Sequence, residues 1–109
     1  MPKYVTAINP DVKTETQFST SYPLFKKDAA PIPGCIAMHL VFHTDTYPEP
    51  GVHDDNEGFY VTSGNGMIKI GDEEYPISSG SAIYVPAGVK HAIKSDGGDL
   101  GIFAYHFPV

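Results

Sequence analysis

Arginine is missing from this chain. All seven basic residues are lysines, set against 13 acidic ones, for a net charge of −6. Such a surface offers no cationic face for phosphate, so nucleic acid is not an expected partner. Cysteine is nearly absent as well: Cys35 stands alone, which excludes an internal disulfide and a Cys-rich zinc site. No apolar run approaches the ~20 residues of a membrane-spanning helix. The longest, Cys35 to Phe42, contains His39. Met1 to Thr6 lacks the apolar stretch of a secretory signal. The expectation is a cytoplasmic protein that does not engage a membrane. No window holds apolar residues at a sustained helical spacing either, so a helical bundle is excluded.

Turn formers are plentiful: 11 Gly and 10 Pro in 109 residues, well above average usage. Seven Tyr and six Phe supply the apolar mass of one folded core. Residues 1–34, broken by Pro10, Pro23, Pro31 and Pro33, read as an N-terminal arm with short edge strands around Tyr4–Ile8 and Phe18–Leu24. Residues 35–109 read as a barrel domain. Ile36, Met38, Leu40 and Phe42 alternate with Ala37, His39, Val41 and His43, a period of two that predicts a strand. Further strands are expected over Glu57–Ser63, Met67–Ile70, Glu74–Ile77, Ala82–Val85, Lys90–Lys94 and Leu100–Phe107. Gly64-Asn65-Gly66 predicts a hairpin, because Asn-Gly suits the positive φ of a type I′ turn. Short strands at roughly ten-residue spacing argue an all-β sandwich or barrel.

Two segments carry chemistry. His53 and Glu57 are four residues apart, and strand alternation puts them on one face. Imidazole with carboxylate suits Fe, Mn, Ni or Zn, although an exposed pair at that spacing is more often solvated. The acidic run Asp54-Asp55-Asn56-Glu57 does not fit a calcium loop, whose glycine and terminal glutamate are not at their offsets. The second segment runs from Gly80 to His91. Gly80 opens a strand, Pro86-Ala87-Gly88 turns out of it, and His91 begins the next strand facing inward.

With these two segments the chain resembles the cupin superfamily over about residues 36–107. Gly80, Pro86, Gly88 and His91 match the second cupin motif, with Ser95 where asparagine is frequent. His53, Glu57 and Gly64 match the closing half of the first motif, and 15 residues separate Gly64 from Gly80, as in compact cupins. The resemblance implies a cupin-type jelly-roll β-barrel, the double-stranded β-helix. It also implies a metal held by His53, Glu57 and His91. The first motif usually opens with a further histidine, and that position is Gly51 here. Two histidines and one carboxylate remain, the composition of the non-haem iron facial triad, which leaves about three positions of an octahedral ion for water, dioxygen or a chelating substrate. Loss of the histidine at Gly51 reads either as an open site or as the first step of decay toward a metal-free barrel.

His39 and His43 share a strand face; His43 is a candidate pocket residue or replacement ligand, and an ordinary hydrogen bond is the simpler role for it, as for His106. Tyr60, Tyr84 and Tyr105 are candidates to bond a ligand, with a place in the core the commoner fate of tyrosines in a small barrel. Cys35 reads as a small core hydrophobe. The expected cofactor is one divalent transition-metal ion, the expected partners are a small-molecule ligand and a second copy in a homodimer. Function reads as a small metalloenzyme (oxygenase, isomerase or lyase) on an oxygen-bearing metabolite that chelates the metal. The alternative is a non-catalytic metal-containing module for ligand binding or sensing.

Overall fold

β-branched and aromatic residues alternating with polar ones dominate the chain, and the computed structural model, which describes residues 4–109, forms nine strands from them. These are β1 (Thr14–Glu15), β2 (Ser19–Phe25), β3 (Ile36–Phe42), β4 (Asn56–Ser63), β5 (Asn65–Ile70), β6 (Glu73–Ser78), β7 (Ala82–Val85), β8 (His91–Ser95) and β9 (Leu100–Phe107). Among the described residues there is no helix, and so none long and apolar enough to cross a membrane.

The strands form an antiparallel six-stranded sheet, ordered β1-β2-β3-β9-β4-β7, and a three-stranded sheet, ordered β6-β5-β8. The architecture is an all-β jelly roll. Period-two alternation explains the core between the sheets. Phe59 and Val61 of β4 and Leu100, Ile102 and Ala104 of β9 turn inward to meet Ile68, Ile77 and Ile93 of the smaller sheet. Each buried side chain of Val, Leu or Ile size contributes about 1.5–3 kcal/mol. Pro76 is tolerated because β6 is an edge strand.

Three expectations need correction. No strand forms over Tyr4–Ile8, since no neighbouring strand is there to complete its ladder. The second strand of the arm runs over Ser19–Phe25, one residue later than expected, and is not an edge, lying between β1 and β3. Gly64-Asn65-Gly66 is not a hairpin either. β4 and β5 belong to different sheets, and Gly64, at φ 85°, turns the chain from one to the other. No non-glycine residue in the described chain has positive φ, so Asn65 does not take the left-handed conformation that a type I′ turn demands.

The corner is tight. A side-chain carbon on Gly64 would run into the Asp99 carbonyl, whereas one on Gly71, also at positive φ (59°), would meet open space. Gly71→Ala is therefore expected to lose about 1 kcal/mol, the conformational cost alone. Gly64→Ala should lose about twice that or more, because the backbone must also move. Urea unfolding of the two variants checks this, and equal losses would contradict it.

Candidate metal centre

The site forms at one end of the sandwich because antiparallel pairing brings the start of β4 beside the end of β9. Glu57 pairs directly with His106. Glu57 shares the inward face of β4 with Phe59 and Val61, so its carboxylate is drawn into the interior at 5% exposure. His91, first residue of β8, faces inward with Ile93 and Ser95. The loop before β4 supplies His53. Its carbonyl accepts a hydrogen bond from the Gly88 amide at 2.9 Å, and the Asn56 side chain accepts one from Ala87 at 3.0 Å. Gly51 and His91 exchange both backbone hydrogen bonds. These bonds lock the segment 51–57 onto the Pro86–His91 turn, which fixes the relative position of the two motifs.

The side chains converge on Glu57. Its Oε1 lies 2.8 Å from His53 Nε2 and 3.0 Å from His91 Nε2. His53, Glu57 and His91, the ligand set that the family resemblance implies, are brought together. These three offer ligand atoms all within 4.8 Å of one another. The donor set fits a divalent transition metal: one carboxylate oxygen and two ring nitrogens of borderline softness. The far nitrogen of each ring already has a partner, His91 Nδ1 at 3.0 Å from the Val89 carbonyl and His53 Nδ1 beside Asp55. Such partners fix the tautomer that leaves Nε2 free to ligate.

The sequence reading missed two residues. His106 Nε2 lies 3.1 Å from Glu57 Oε2, and its Nδ1 bonds Asp55 Oδ1 at 3.0 Å. The signal for His106 was available in the strand period, since it shares the face of Leu100, Ile102 and Ala104; nothing in the motifs pointed to Asp55. The other candidates lie elsewhere. His43 bonds Thr20 Oγ1 and Asp99 and does not line the site. His39 faces outward beside Tyr22. Tyr60 and Tyr84 are neither core nor ligand-facing but exposed on the outer face of the six-stranded sheet, where Tyr105 lies over Gly58. Cys35 is half-buried in the loop before β3 and is not part of the core cluster.

The cluster's charges depend on one another. Burial alone would raise the Glu57 carboxyl, but hydrogen bonding from His106 and His91 overcomes it and holds the group at about 2. His106 is pushed up to about 9, chiefly by Glu57, with burial opposing and Asp55 assisting. Burial works to lower His91, yet its bonds to Glu57 and the Val89 carbonyl leave it raised. Asp55 is lowered: burial opposes, and contacts with His106 and His53 prevail.

A family model described as Cupin domain matches residues 38–103. An uncharacterized protein of Streptomyces coelicolor is 36% identical over 56 residues, covering 51% of this chain and 53% of that protein. The chain thus spans about half the length of the curated relative it matches. Among solved structures, a predicted oxalate decarboxylase of Thermotoga maritima is similar at a TM-score of 0.75 and 19% identity, over 84% of this chain and 81% of that one. The hydroxypropylphosphonic acid epoxidase of S. wedmorenis is similar at a TM-score of 0.77 and 22% identity, over 94% and 59%. At these identities the likeness establishes the fold.

The pH dependence of the metal-free protein follows from the two large shifts. His106 is raised, so its contribution is full below its ordinary value of 6.5 and is lost as pH climbs through about 9. Glu57 is depressed, so its contribution is full above 4.5 and is lost as pH falls toward about 2. Thermal unfolding of chelator-treated protein should be most resistant between pH 4.5 and 6.5 and should weaken steadily on the alkaline side. His106→Gln should flatten the alkaline limb, and a wild-type limb already flat would contradict the assignment.

Proposed function

The chain belongs to the cupin-domain family, and from that premise we propose that it is a small metalloenzyme acting on a small, oxygen-bearing metabolite that chelates the metal. The reaction classes that fit are oxygenase, isomerase and lyase. His53, Glu57 and His91 are the proposed ligands, and Fe, Mn, Ni and Zn all suit this set. The observation that carries the proposal is the convergence of two Nε2 atoms on one Glu57 oxygen beside Gly51. Gly51 pairs directly opposite His91, so a side chain there would project to the same side as His91. The glycine leaves that side open.

A cavity of about 160 Å³ lies on this side, lined by Gly51, Glu57 and His91 with Leu40, Phe42 and Phe59 among its apolar walls. Its size admits a small ligand, whose apolar parts would face these walls. Among the described residues no lysine lines it, and the chain has no arginine to clamp a carboxylate in bidentate fashion. Binding would therefore depend on the ligand's own chelating oxygens. A bound divalent ion supplies a Lewis-acid centre that retains roughly one positive charge beside Glu57. The likeness in fold to a predicted oxalate decarboxylase and to the hydroxypropylphosphonic acid epoxidase supports the reading. The single free cysteine is consistent with a cytoplasmic setting. The alternative, a metal-containing module that binds or senses without turnover, is favoured by one feature. Outside the cluster, Glu49 is the one titratable side chain lining the cavity.

Elemental analysis of freshly purified protein is expected to give about one transition-metal ion per chain. His91→Ala or Glu57→Ala should lose most of it and His39→Ala none; full occupancy in the His91 variant would refute the assignment. Gly51 has no positive φ, and a carbon on it would approach only the His91 carbonyl, at 4.0 Å. Gly51→His should then fold normally, hold the ion more tightly and reduce turnover or ligand binding, while Gly51→Ala changes neither. Improved retention with activity intact would instead mean that the position is a lost ligand. A metabolite screen with oxygen uptake separates turnover from binding alone.

We also propose that the protein forms a symmetric homodimer through the outer face of the six-stranded sheet. Tyr84, 70% exposed, Phe103, Tyr105 and Phe107 stand there in one aromatic array, with exposed Tyr60 in register opposite Phe103. No Asp, Glu or Lys projects from that face of β3, β4, β7 or β9. Two copies that each carry −6 meet with least repulsion where neither bears charge. Sedimentation should give twice 11.8 kDa at micromolar concentration, and Tyr84→Glu should return it to the single-chain mass. A wild-type chain that stays at the single mass would refute the dimer.

A further inference from the structure

Four of the five side chains in the cluster form a closed ring around two carboxylates. Glu57 lies between His53 Nε2 (2.8 Å) and His106 Nε2 (3.1 Å). Asp55 Oδ1 lies between His53 Nδ1 (2.8 Å) and His106 Nδ1 (3.0 Å). The His53 and His106 rings lie 4.6 Å apart. The two oxygens of Glu57 are treated differently: Oε1 faces both His53 and His91, whereas Oε2 faces His106. Asp55 is partly exposed, with its side chain at 33%, while His106 is at 13% and Glu57 at 6%. The ring thus runs from the buried end of β4 out to the surface on the side away from Gly51. The cavity by Gly51 is lined by Glu57 and His91; a separate surface cleft is lined by His53 and Asp55.

We propose that Asp55 and His106 are positioning residues that make Glu57 a one-oxygen ligand and aim His53 at the same ion. The inference rests on the metal reading above and goes beyond it by assigning two residues outside the motif ligands. Asp55 acts first through His53. Its carboxylate and its backbone carbonyl, at 2.8 and 3.4 Å, both face Nδ1, so the proton stays on that nitrogen and Nε2 is left to ligate. Asp55 acts next through His106, whose Nδ1 it bonds. That bond turns His106 Nε2 onto Glu57 Oε2. An oxygen held by an N–H donor is a poor second ligand, so the ion meets Oε1 alone. His106 is anchored for this role by its place in β9, paired on one side with Ile36 and on the other with Glu57. The consequence is economy of coordination: a one-oxygen carboxylate together with Gly51 keeps the substrate-facing positions of the ion free.

Outer partners of this kind typically change metal affinity by ~10–100-fold. The test is titration of the metal-free protein with Co²⁺ alone, reading stoichiometry, affinity and visible absorption, which reports coordination number. Wild type should bind one ion per chain. Asp55→Ala and His106→Ala should each still bind one, about 10–100-fold more weakly, with the His106 variant's absorption shifted toward higher coordination as Glu57 engages both oxygens. Asp55→Asn retains an acceptor and His106→Gln a donor toward Glu57, so both should recover part of the affinity; these conservative variants also serve if an alanine variant fails to fold. Unchanged affinity and absorption in all four would overturn the proposal. So would two ions in wild type with Asp55→Ala losing one and keeping the other at full affinity, because His53, Asp55 and His106 would then be a second ion site. A wild-type chain that takes up no ion would overturn the metal reading as well, which the other two outcomes leave standing.

Discussion

Glu57 is the constraint on which this end of the molecule depends. Strand alternation puts it in the same inward column as Phe59 and Val61, and a carboxylate carried that far from water must be compensated by donors or neutralised. Three histidines supply the compensation, from the loop before β4, from the start of β8 and from the end of β9. Each comes from a different part of the chain, so the site exists only when both sheets are assembled. Fold and site are therefore coupled in one direction more strongly than the other. The core of Val61, Ile68, Leu100 and Ile102 lies along the sandwich away from the cluster and packs by burial alone, whereas the cluster has no geometry without that core.

The order of the strands decides which side chains take part. Because β9 lies between β3 and β4, a residue near the C-terminus meets the first residues of β4, and His106 falls opposite Glu57. The turn Pro86–Gly88 performs the equivalent service for His91, since its backbone bonds the carbonyl of His53. Loop residues are ordinarily the mobile part of a β sandwich. Here the segment 51–57 is tied down by main-chain bonds of Gly51 and His53 and by the Asn56 side chain, which accepts from Ala87, before any ligand is considered.

The spacing His53, Glu57, Gly64 and Gly80, Pro86, Gly88, His91 made the proposed ligands legible through the family resemblance it carries, and turns and alternation made most strands legible because both are local. What failed was non-local. Asn65 looked like a hairpin residue, yet the strands on either side of Gly64 belong to different sheets, a fact set by where β8 and β9 run. His106 was passed over because its role exists only through pairing with Glu57, 49 positions away, beyond the reach of any local pattern and outside both motifs. The tyrosines failed in the opposite sense. Their apolar character predicts burial, but the larger sheet has two faces and one core, so Tyr60 and Tyr84 are left outward. Alternation identifies which residues share a face; it does not say what covers that face.

The two sides of the centre carry different loads, and Gly51 is where this is easiest to see. On the Asp55 side, polar groups fill every direction: two imidazoles, two carboxylates and a backbone carbonyl satisfy one another. On the Gly51 side, the backbone pairs with His91 but no side chain projects, and the walls are Leu40, Phe42 and Phe59. A histidine at position 51 would have made the two sides alike. Its absence cannot be ascribed to backbone geometry, since Gly51 lies outside the left-handed region and a side chain there meets no obstruction closer than 4.0 Å. Nor has the rest of the constellation loosened around it, because His53, Glu57 and His91 remain within hydrogen-bonding distance through Oε1. A glycine that sterics do not demand, facing an apolar cavity beside an otherwise satisfied cluster, is the feature that supports the proposed open coordination side. Decay of the site would be expected to leave buried Glu57 short of donors, and it has three.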